Sequence, residues 1–138
     1  MATRSRIGIE NPDGTIESIY CHWDGYLDHN GYILQTHYQE TSRIRELMAL
    51  GDLSVLGSEI GKAHDFDQAA GHECNAYGRD RGERDVGSKT HTTREALLTI
   101  GEEYTYLYAQ GQWLVHCYAT NGNWRPLLEM LLGEDDSE

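Results

Sequence analysis

The sequence has few of the residues that mark secreted, membrane-spanning or linker-rich proteins. Only three of its 138 residues are cysteine and only two are proline. Three cysteines, an odd number at unpatterned spacings, indicate a reducing compartment rather than a disulfide framework. No apolar run is long enough to span a bilayer, and the first ten residues lack the apolar segment of a signal peptide. We therefore expect a cytoplasmic protein with no membrane partner.

Positive charge is also scarce in this chain. The formal net charge is −12, from 11 Lys and Arg against 23 Asp and Glu. Four of the carboxylates lie within residues 134–138, which we expect to form a mobile acidic tail. A chain this acidic does not attract duplex nucleic acid or an anionic membrane through its general field. Any phosphate that it binds must therefore be held by a local cluster of arginines.

Length and hydrophobic pattern predict one small α+β domain over residues 1–133, with an antiparallel β-sheet and two or three short helices. Alternation of apolar and polar residues predicts two hairpins, whose strands span residues 4–10, 15–23, 104–109 and 112–119. Helical spacing and capping residues predict three helices, at residues 43–50, 94–100 and 127–132. We expect Thr92 to cap the second helix. Residues 57–75 are irregular by sequence.

The segment 77–85 concentrates the arginines of the chain. The protein has nine arginines and two lysines, and Arg79, Arg81 and Arg84 fall within six residues. The planar guanidinium group binds phosphate with two parallel hydrogen bonds and stacks on bases. We predict a polar loop here whose binding residues are Tyr77, Arg79, Asp80, Arg81 and Glu83. In the alternative interpretation these alternating charges neutralise one another on a solvated surface.

A second cluster lies where the first hairpin ends. His22, Trp23, Asp24 and Tyr26 place imidazole, aromatic and carboxylate groups at a strand end, next to Gly25. Such a set can form a base or ribose pocket. In the alternative interpretation Trp23 and Tyr26 belong to the core, and His22 and Asp24 form a structural hydrogen-bonded pair.

Cysteine and histidine lie close together at three places, residues 21–22, 72–74 and 116–117. Structural zinc sites usually have ligand pairs two to four residues apart, and adjacent residues on a strand point to opposite faces. We therefore expect no metal and no cofactor. No glycine elbow supports a Cys–His nucleophile pair. The bulk acidity can also mimic the phosphates of DNA, but the carboxylates show no regular spacing.

Three motifs give the chain a family resemblance. They are S-R-I-G-I-E-N-P-D-G-T-I-E-S-I-Y-C-H-W-D-G-Y, L-x-A-L-G-D-L-S-x-L-G and A-Y-G-R-D-R-G-E. Over roughly residues 4–115 the chain resembles the first type of Thoeris anti-defence proteins, which are small acidic phage and prophage proteins. The resemblance implies a sponge rather than an enzyme. Such proteins bind cyclic ADP-ribose isomers made by bacterial TIR-domain proteins and hold them intact, and some also sequester cyclic oligonucleotides at separate sites.

The resemblance implies a cyclic nucleotide as partner, a homo-oligomer built from dimers, and the cytoplasm of an infected bacterial host as location. It also implies a pocket that draws on His22, Trp23, Asp24 and Tyr26 and adds Tyr77, Arg79, Asp80, Arg81 and Glu83. Arg79 and Arg81 would bind the pyrophosphate, and Tyr77 or Trp23 would stack on adenine. Ribose hydroxyls would be bound by the carboxylates of Asp24, Asp80 or Glu83. Two other functions stay open. One is an acidic inhibitor that blocks an anti-phage nuclease, of the anti-CRISPR or anti-restriction type, and the other is a nucleotide-cleaving enzyme that uses His22 or a Cys/His site.

Overall fold

A computed structural model describes residues 2–133, so the predicted acidic tail at 134–138 lies outside the described residues. Within them eight strands and five α-helices form an α+β domain, which confirms the predicted fold class. The strands are β1 (Ser5–Glu10), β2 (Ile16–Cys21), β3 (Leu53–Val55), β4 (Asn75–Ala76), β5 (Lys89–His91), β6 (Tyr104–Ala109), β7 (Gln112–Cys117) and β8 (Arg125–Pro126). The helices are α1 (Tyr32–His37), α2 (Thr41–Leu50), α3 (Tyr77–Arg81), α4 (Arg94–Thr99) and α5 (Leu127–Leu131).

Both predicted hairpins are present. β1 pairs antiparallel with β2, and β6 pairs antiparallel with β7. The turn of the first hairpin is closed by hydrogen bonds from Asn11 N to Thr15 O, at 2.7 Å, and from Gly14 N to Asn11 O, at 2.9 Å. The turn could be predicted because it contains asparagine, proline and glycine, which favour turns.

The expected all-antiparallel sheet is a mixed one. β1 runs parallel to β6, with Ser5 opposite Tyr104, and β2 runs parallel to β3. The strand order is β4-β3-β2-β1-β6-β7-β8, and β5 pairs with the start of β2. Hairpins can be recognised from local turn chemistry, whereas the pairing of one hairpin with another joins residues that are far apart in the sequence.

The sheet carries a larger and a smaller apolar cluster. The larger one packs β1, β2, β6 and β7 against α1, α2 and α5, with Ile7, Leu47 and Tyr106 fully buried at its centre. The smaller one packs Leu97 of α4 against Ile16 and neighbouring strand residues. Alternation along each strand thus supplies apolar side chains to both faces. The first hairpin, which leads into residues 22–26 (called the opening motif below), is therefore packed on both faces.

The helices differ from the predicted ones at their ends and in number. Thr93 and not Thr92 caps α4, because its Oγ accepts a hydrogen bond from Ala96 N at 3.0 Å. α1 and α3 are additional short helices, and α3 occupies the segment where we expected a polar loop. α2 ends at Leu50, and the next residue, Gly51, has a φ of +76° that only glycine adopts readily. In the described part of the chain no helix has the length and apolar character needed to cross a membrane.

Candidate functional site

The two predicted motifs lie on either side of the short strand β3. β2 leads into the opening motif, and β4 leads into α3, which carries the arginines. Trp23 N donates to Ser54 O and His22 N donates to Leu53 O, each at 3.0 Å, while Leu53 is also the register partner of Ala76 on the other side. The two backbones therefore flank β3, but β2 runs parallel and β4 antiparallel to it, so the chain enters residues 22–26 and α3 at opposite ends of β3.

Asp52 connects β2, which leads into the opening motif, to the start of α3. Its Oδ1 accepts a hydrogen bond from Tyr20 N at 2.9 Å, and its backbone carbonyl accepts one from Tyr77 N at 3.2 Å. The same residue donates its N–H to Val86 O at 2.7 Å, which fixes the segment that follows α3. Sequence reasoning did not identify Asp52, because its role depends on contacts with residues 20, 77 and 86, which are distant from one another in the sequence.

The guanidinium group of Arg79 is committed to acceptors within the protein. Its Nε and Nη2 both donate to the Asp80 carboxylate, at 2.9 and 3.1 Å. Nη2 also donates to Cys74 O at 2.9 Å, and Nη1 donates to Ile60 O and Gly61 O at 3.0 and 3.3 Å. These bonds use all five N–H groups of the side chain. The predicted role of Arg79 in binding pyrophosphate stays a prediction, and it would require some of these bonds to break.

The carboxylate of Asp80 is equally occupied and its side chain has no exposed surface. Besides Arg79, it accepts hydrogen bonds from Ala76 N at 2.8 Å and from His64 N at 3.1 Å. Burial alone would raise the pKa of Asp80, but the bonds from Arg79, Ala76 and His64 outweigh it, so the pKa lies below its ordinary value. Asp80 therefore ties the start of α3 to the loop at 57–73, and its predicted ribose contact remains to be tested.

Arg81 occupies a different environment from Arg79. Its guanidinium carbon lies 4.5 Å from the centre of the Phe66 ring and 4.8 Å from that of Tyr77. The two rings stack, with centroids 5.5 Å apart. Arg81 also pairs with Glu83, and half of its side-chain surface is exposed. The Arg79–Asp80 and Arg81–Glu83 pairs agree with the alternative of mutually neutralising charges, but Arg81 keeps an accessible guanidinium on an aromatic platform.

The opening motif presents its aromatic groups at the surface. Trp23 is 42% and Tyr26 is 40% exposed, so the alternative interpretation that both belong to the core is wrong. The His22 and Trp23 rings meet edge to face at 4.8 Å. The hydrogen-bond partner of His22 Nδ1 is the Tyr20 hydroxyl, at 2.7 Å, rather than the Asp24 carboxylate. Tyr20 is thus a further residue of this surface.

The backbone around Asp24 forms a tight connection. Asp24 has a φ of +58°, in the left-handed region, and its carbonyl accepts a hydrogen bond from the buried Asn30 at 3.2 Å. A Cβ at Gly25 would lie 2.8 Å from that of Ser5, so this position needs glycine. The conformation holds Trp23 and Tyr26 on either side of the turn. The exact contacts that the Asp24 carboxylate makes with a ligand stay a prediction.

A buried polar network at β1, β2 and β5 has the residue types of a catalytic dyad. Ser18 Oγ lies 2.7 Å from His91 Nε2 and accepts a hydrogen bond from Arg6 Nε at 3.1 Å. Burial lowers the pKa of His91, and the charges of Arg6 and Lys89 lower it further. Ser18, however, has no exposed surface, so a substrate cannot reach its hydroxyl in this conformation. The network joins β5 to the first hairpin.

The cysteines are also poorly placed for chemistry. Cys21, Cys74 and Cys117 are all buried. Burial raises the pKa of the Cys21 thiol to about 12 and also raises that of Cys74. Both therefore stay protonated at neutral pH, whereas the nucleophilic form of cysteine is the thiolate. Among residues 2–133 no group of three His, Cys, Asp or Glu side chains is close enough to hold a metal ion.

Two surface cavities lie away from the predicted binding residues. One, of about 410 Å³, is lined at the hairpin turns by Glu10, Asn11, Pro12, Gly14 and Gln110. The other, of about 150 Å³, is lined by Gln35, Gln39, Tyr108, Gly111, Gln112 and Trp113. Neither is lined by residues 22–26 or by α3. Of the predicted binding residues, Trp23, Tyr26 and Arg81 are exposed on the single chain, whereas the Asp80 side chain is buried.

Comparison with known proteins gave no match to a family model, to a curated protein or to a solved structure.

Proposed function

We propose that this protein binds a cyclic ADP-ribose-type nucleotide and sequesters it without degrading it, as a phage anti-defence protein acting in the cytoplasm of an infected bacterial host. The observation that supports the proposal is the exposed guanidinium of Arg81 on the stacked rings of Phe66 and Tyr77. A cyclic ADP-ribose ligand carries a pyrophosphate, two riboses and an adenine. It therefore requires a cation, hydrogen-bonding groups and an aromatic face in one place.

The proposal takes a second aromatic group from the opening motif. Trp23 and His22 bind through their backbones to β3, next to the strand that leads into α3. In the proposed site Arg81 contacts the pyrophosphate, while Tyr77 or Trp23 stacks on the base. Asp24 and Glu83 accept from ribose hydroxyls. Arg79 and Asp80 position α3, in addition to any contact that they make with the ligand.

Tight sequestration requires more enclosure than one chain provides. Ligand sites in proteins are generally concave and cover most of the ligand surface, whereas Arg81 and Trp23 are both exposed in the single chain. We propose that a second copy of the chain closes it, in a homo-oligomer built from dimers.

The expected mass in solution is therefore at least twice the 15.7 kDa of one chain. Light scattering coupled to gel filtration measures this mass directly. A protein that is strictly monomeric at micromolar concentration and still binds the nucleotide tightly would contradict the proposed enclosure.

The function itself can be tested by depletion and release. Purified protein is incubated with the cyclic product of a bacterial TIR-domain protein, the free nucleotide is measured, and the complex is then denatured by heat. We expect depletion followed by recovery of the intact nucleotide. An altered product would indicate an enzyme. Lack of depletion for all known immune cyclic nucleotides would favour the acidic inhibitor of an anti-phage nuclease.

Replacing Arg81 should weaken nucleotide binding. We expect Arg81→Ala to reduce the binding free energy by about 1.5–3 kcal/mol, because a charge-assisted hydrogen bond is lost. Isothermal titration calorimetry measures the change. Arg84→Ala is the matched control, since Arg84 is exposed on the same segment and takes no part in the ring stack. Equal affinity of the two variants would remove Arg81 from the site.

A further inference from the structure

Both ring nitrogens of His64 face hydrogen-bond acceptors. Nδ1 lies 2.8 Å from Lys62 O, and Nε2 lies 3.0 Å from Asn75 Oδ1. The orientation of the Asn75 amide is fixed because its Nδ2 donates to Phe66 O at 3.1 Å. A carbonyl oxygen carries no hydrogen, so each ring nitrogen must supply one. This arrangement fits the doubly protonated imidazolium form of His64.

The surrounding charges favour the same form. Asp80 Oδ2 lies 3.5 Å from Nε2, and Glu73 Oε1 lies 3.7 Å from Nδ1. Arg79 opposes protonation, but its charge is paired with Asp80. The hydrogen bond to the Lys62 carbonyl raises the pKa of His64 above its ordinary value of 6.5; burial works against this, and Asn75 and Asp80 add to it. The His64 side chain is 16% exposed, so protons can reach it.

His64 holds the loop that carries Phe66. Its backbone N–H donates to Asp80 at 3.1 Å, and its ring connects Lys62 to Asn75 at the start of β4. Asn75 in turn binds the carbonyl of Phe66. The Phe66 ring lies two residues after His64 in the chain and forms one half of the aromatic platform under Arg81. The position of that ring therefore depends on the hydrogen bonds of the imidazole.

We propose that protonated His64 is a positioning residue that fixes Phe66 in the platform under Arg81, so that the platform loosens as the pH rises. The loop movement is independent of any ligand, whereas its effect on nucleotide affinity rests on the proposed function. Loss of one proton leaves the ring with a single N–H for two acceptors. The loop at residues 62–66 then loses its connection either to Lys62 O or to Asn75.

The direction of the pH dependence follows from the raised pKa. The stabilisation by His64 is fully present below the pKa of an unfolded histidine, and it is lost as the pH rises through the higher pKa of the folded state. Platform and loop are therefore ordered below the pKa of folded His64 and released above it.

The first experiment follows the His64 ring and the Phe66–Tyr77 contact in one NMR titration of the unliganded protein. We expect His64 to titrate above 6.5 and the ring-to-ring cross-peaks to weaken with the same midpoint. Glu73→Gln should lower that midpoint, because it removes a nearby negative charge while keeping the size of the side chain. Titration at or below 6.5, or cross-peaks that do not change with His64, would overturn the inference.

The second experiment measures the affinity for cyclic ADP-ribose as a function of pH. Wild-type affinity should fall by up to about tenfold per pH unit above the His64 midpoint. His64→Gln should lose this part of the pH dependence, whereas His72→Gln, an exposed imidazole in the same loop, should keep it. Binding that does not change through the midpoint would overturn the inference alone. Failure to bind at any pH, with the first experiment as expected, would overturn the proposed function alone.

Discussion

Asp80→Ala should lower the free energy of unfolding by about 3 kcal/mol or more. The substitution removes a fully buried carboxylate and leaves Arg79 without its charged partner. It also leaves the N–H groups of Ala76 and His64 without their acceptor. An unpaired buried charge and unpaired buried donors are among the most costly defects in a folded protein. Urea unfolding followed by tryptophan fluorescence measures the loss.

Glu83→Ala is the matched control for this variant. Glu83 also pairs with an arginine of the same segment, but more than a third of its side-chain surface is exposed. Exposed ion pairs contribute little, so this variant should cost less than about 1 kcal/mol. Equal costs for the two variants would show that Asp80 does not anchor α3.

The Asp80 carboxylate also makes stability depend on acidity. Because its pKa in the folded state lies below the ordinary 3.8, its contribution is present above that pH and is lost as the pH falls through the folded pKa. In Asp80→Ala the part of the acid sensitivity that comes from this group should be absent. The difference in unfolding free energy between the wild-type protein and Asp80→Ala should therefore become smaller at low pH.

Gly51→Ala should lower the free energy of unfolding by about 3–5 kcal/mol. Gly51 has φ +76° and ψ −158°, a backbone conformation that is essentially restricted to glycine. A Cβ there would also collide with the carbonyl oxygen of Val86. The Val86 carbonyl oxygen cannot move away freely, since it accepts a hydrogen bond from the N–H of Asp52. The same unfolding measurement tests this variant.

Gly82→Ala separates the cost of a positive φ from the cost of the steric collision. Gly82 also has a positive φ, of +74°, but a Cβ at this position would meet nothing within 4 Å. Its ψ of +21° lies in the ordinary left-handed region, so alanine should cost about 1–2 kcal/mol. If Gly51→Ala cost no more than Gly82→Ala, the close approach of residues 51 and 86 would play no part in stability.

Local signals in the sequence were sufficient for the hairpins and for three of the helices. The first turn has asparagine, proline and glycine at positions that favour it, and Ile7 and Ile9 alternate with polar neighbours. The predicted start of α4 at Arg94 is correct, but its cap was assigned to Thr92 instead of Thr93, because both are good caps and the choice depends on which hydroxyl reaches Ala96 N. α3 was not predicted because five residues with a glycine and mixed charges carry no helical periodicity.

The candidate site was harder to predict for a physical reason. Sequence spacing identified a segment rich in arginine, but Arg79 and Arg81 look equivalent there. Their different environments come from the irregular segment 57–75, which supplies carbonyl oxygens to Arg79 and the Phe66 ring to Arg81. His64 and Asp52 could not be assigned roles either, since their partners lie in other segments. The arrangement depends on tertiary contacts that no local pattern encodes.

The parallel contact between β1 and β6 sets the order in which the sheet can be completed during translation. β1 leaves the ribosome nearly a hundred residues before its neighbour β6. Until then the first hairpin has an open hydrogen-bonding edge and Ile7 is not covered by Tyr106. A nascent chain in this state is vulnerable to intermolecular strand pairing, and contacts this distant in sequence slow folding. Spontaneous refolding should accordingly be slower than that of a helical protein of equal length.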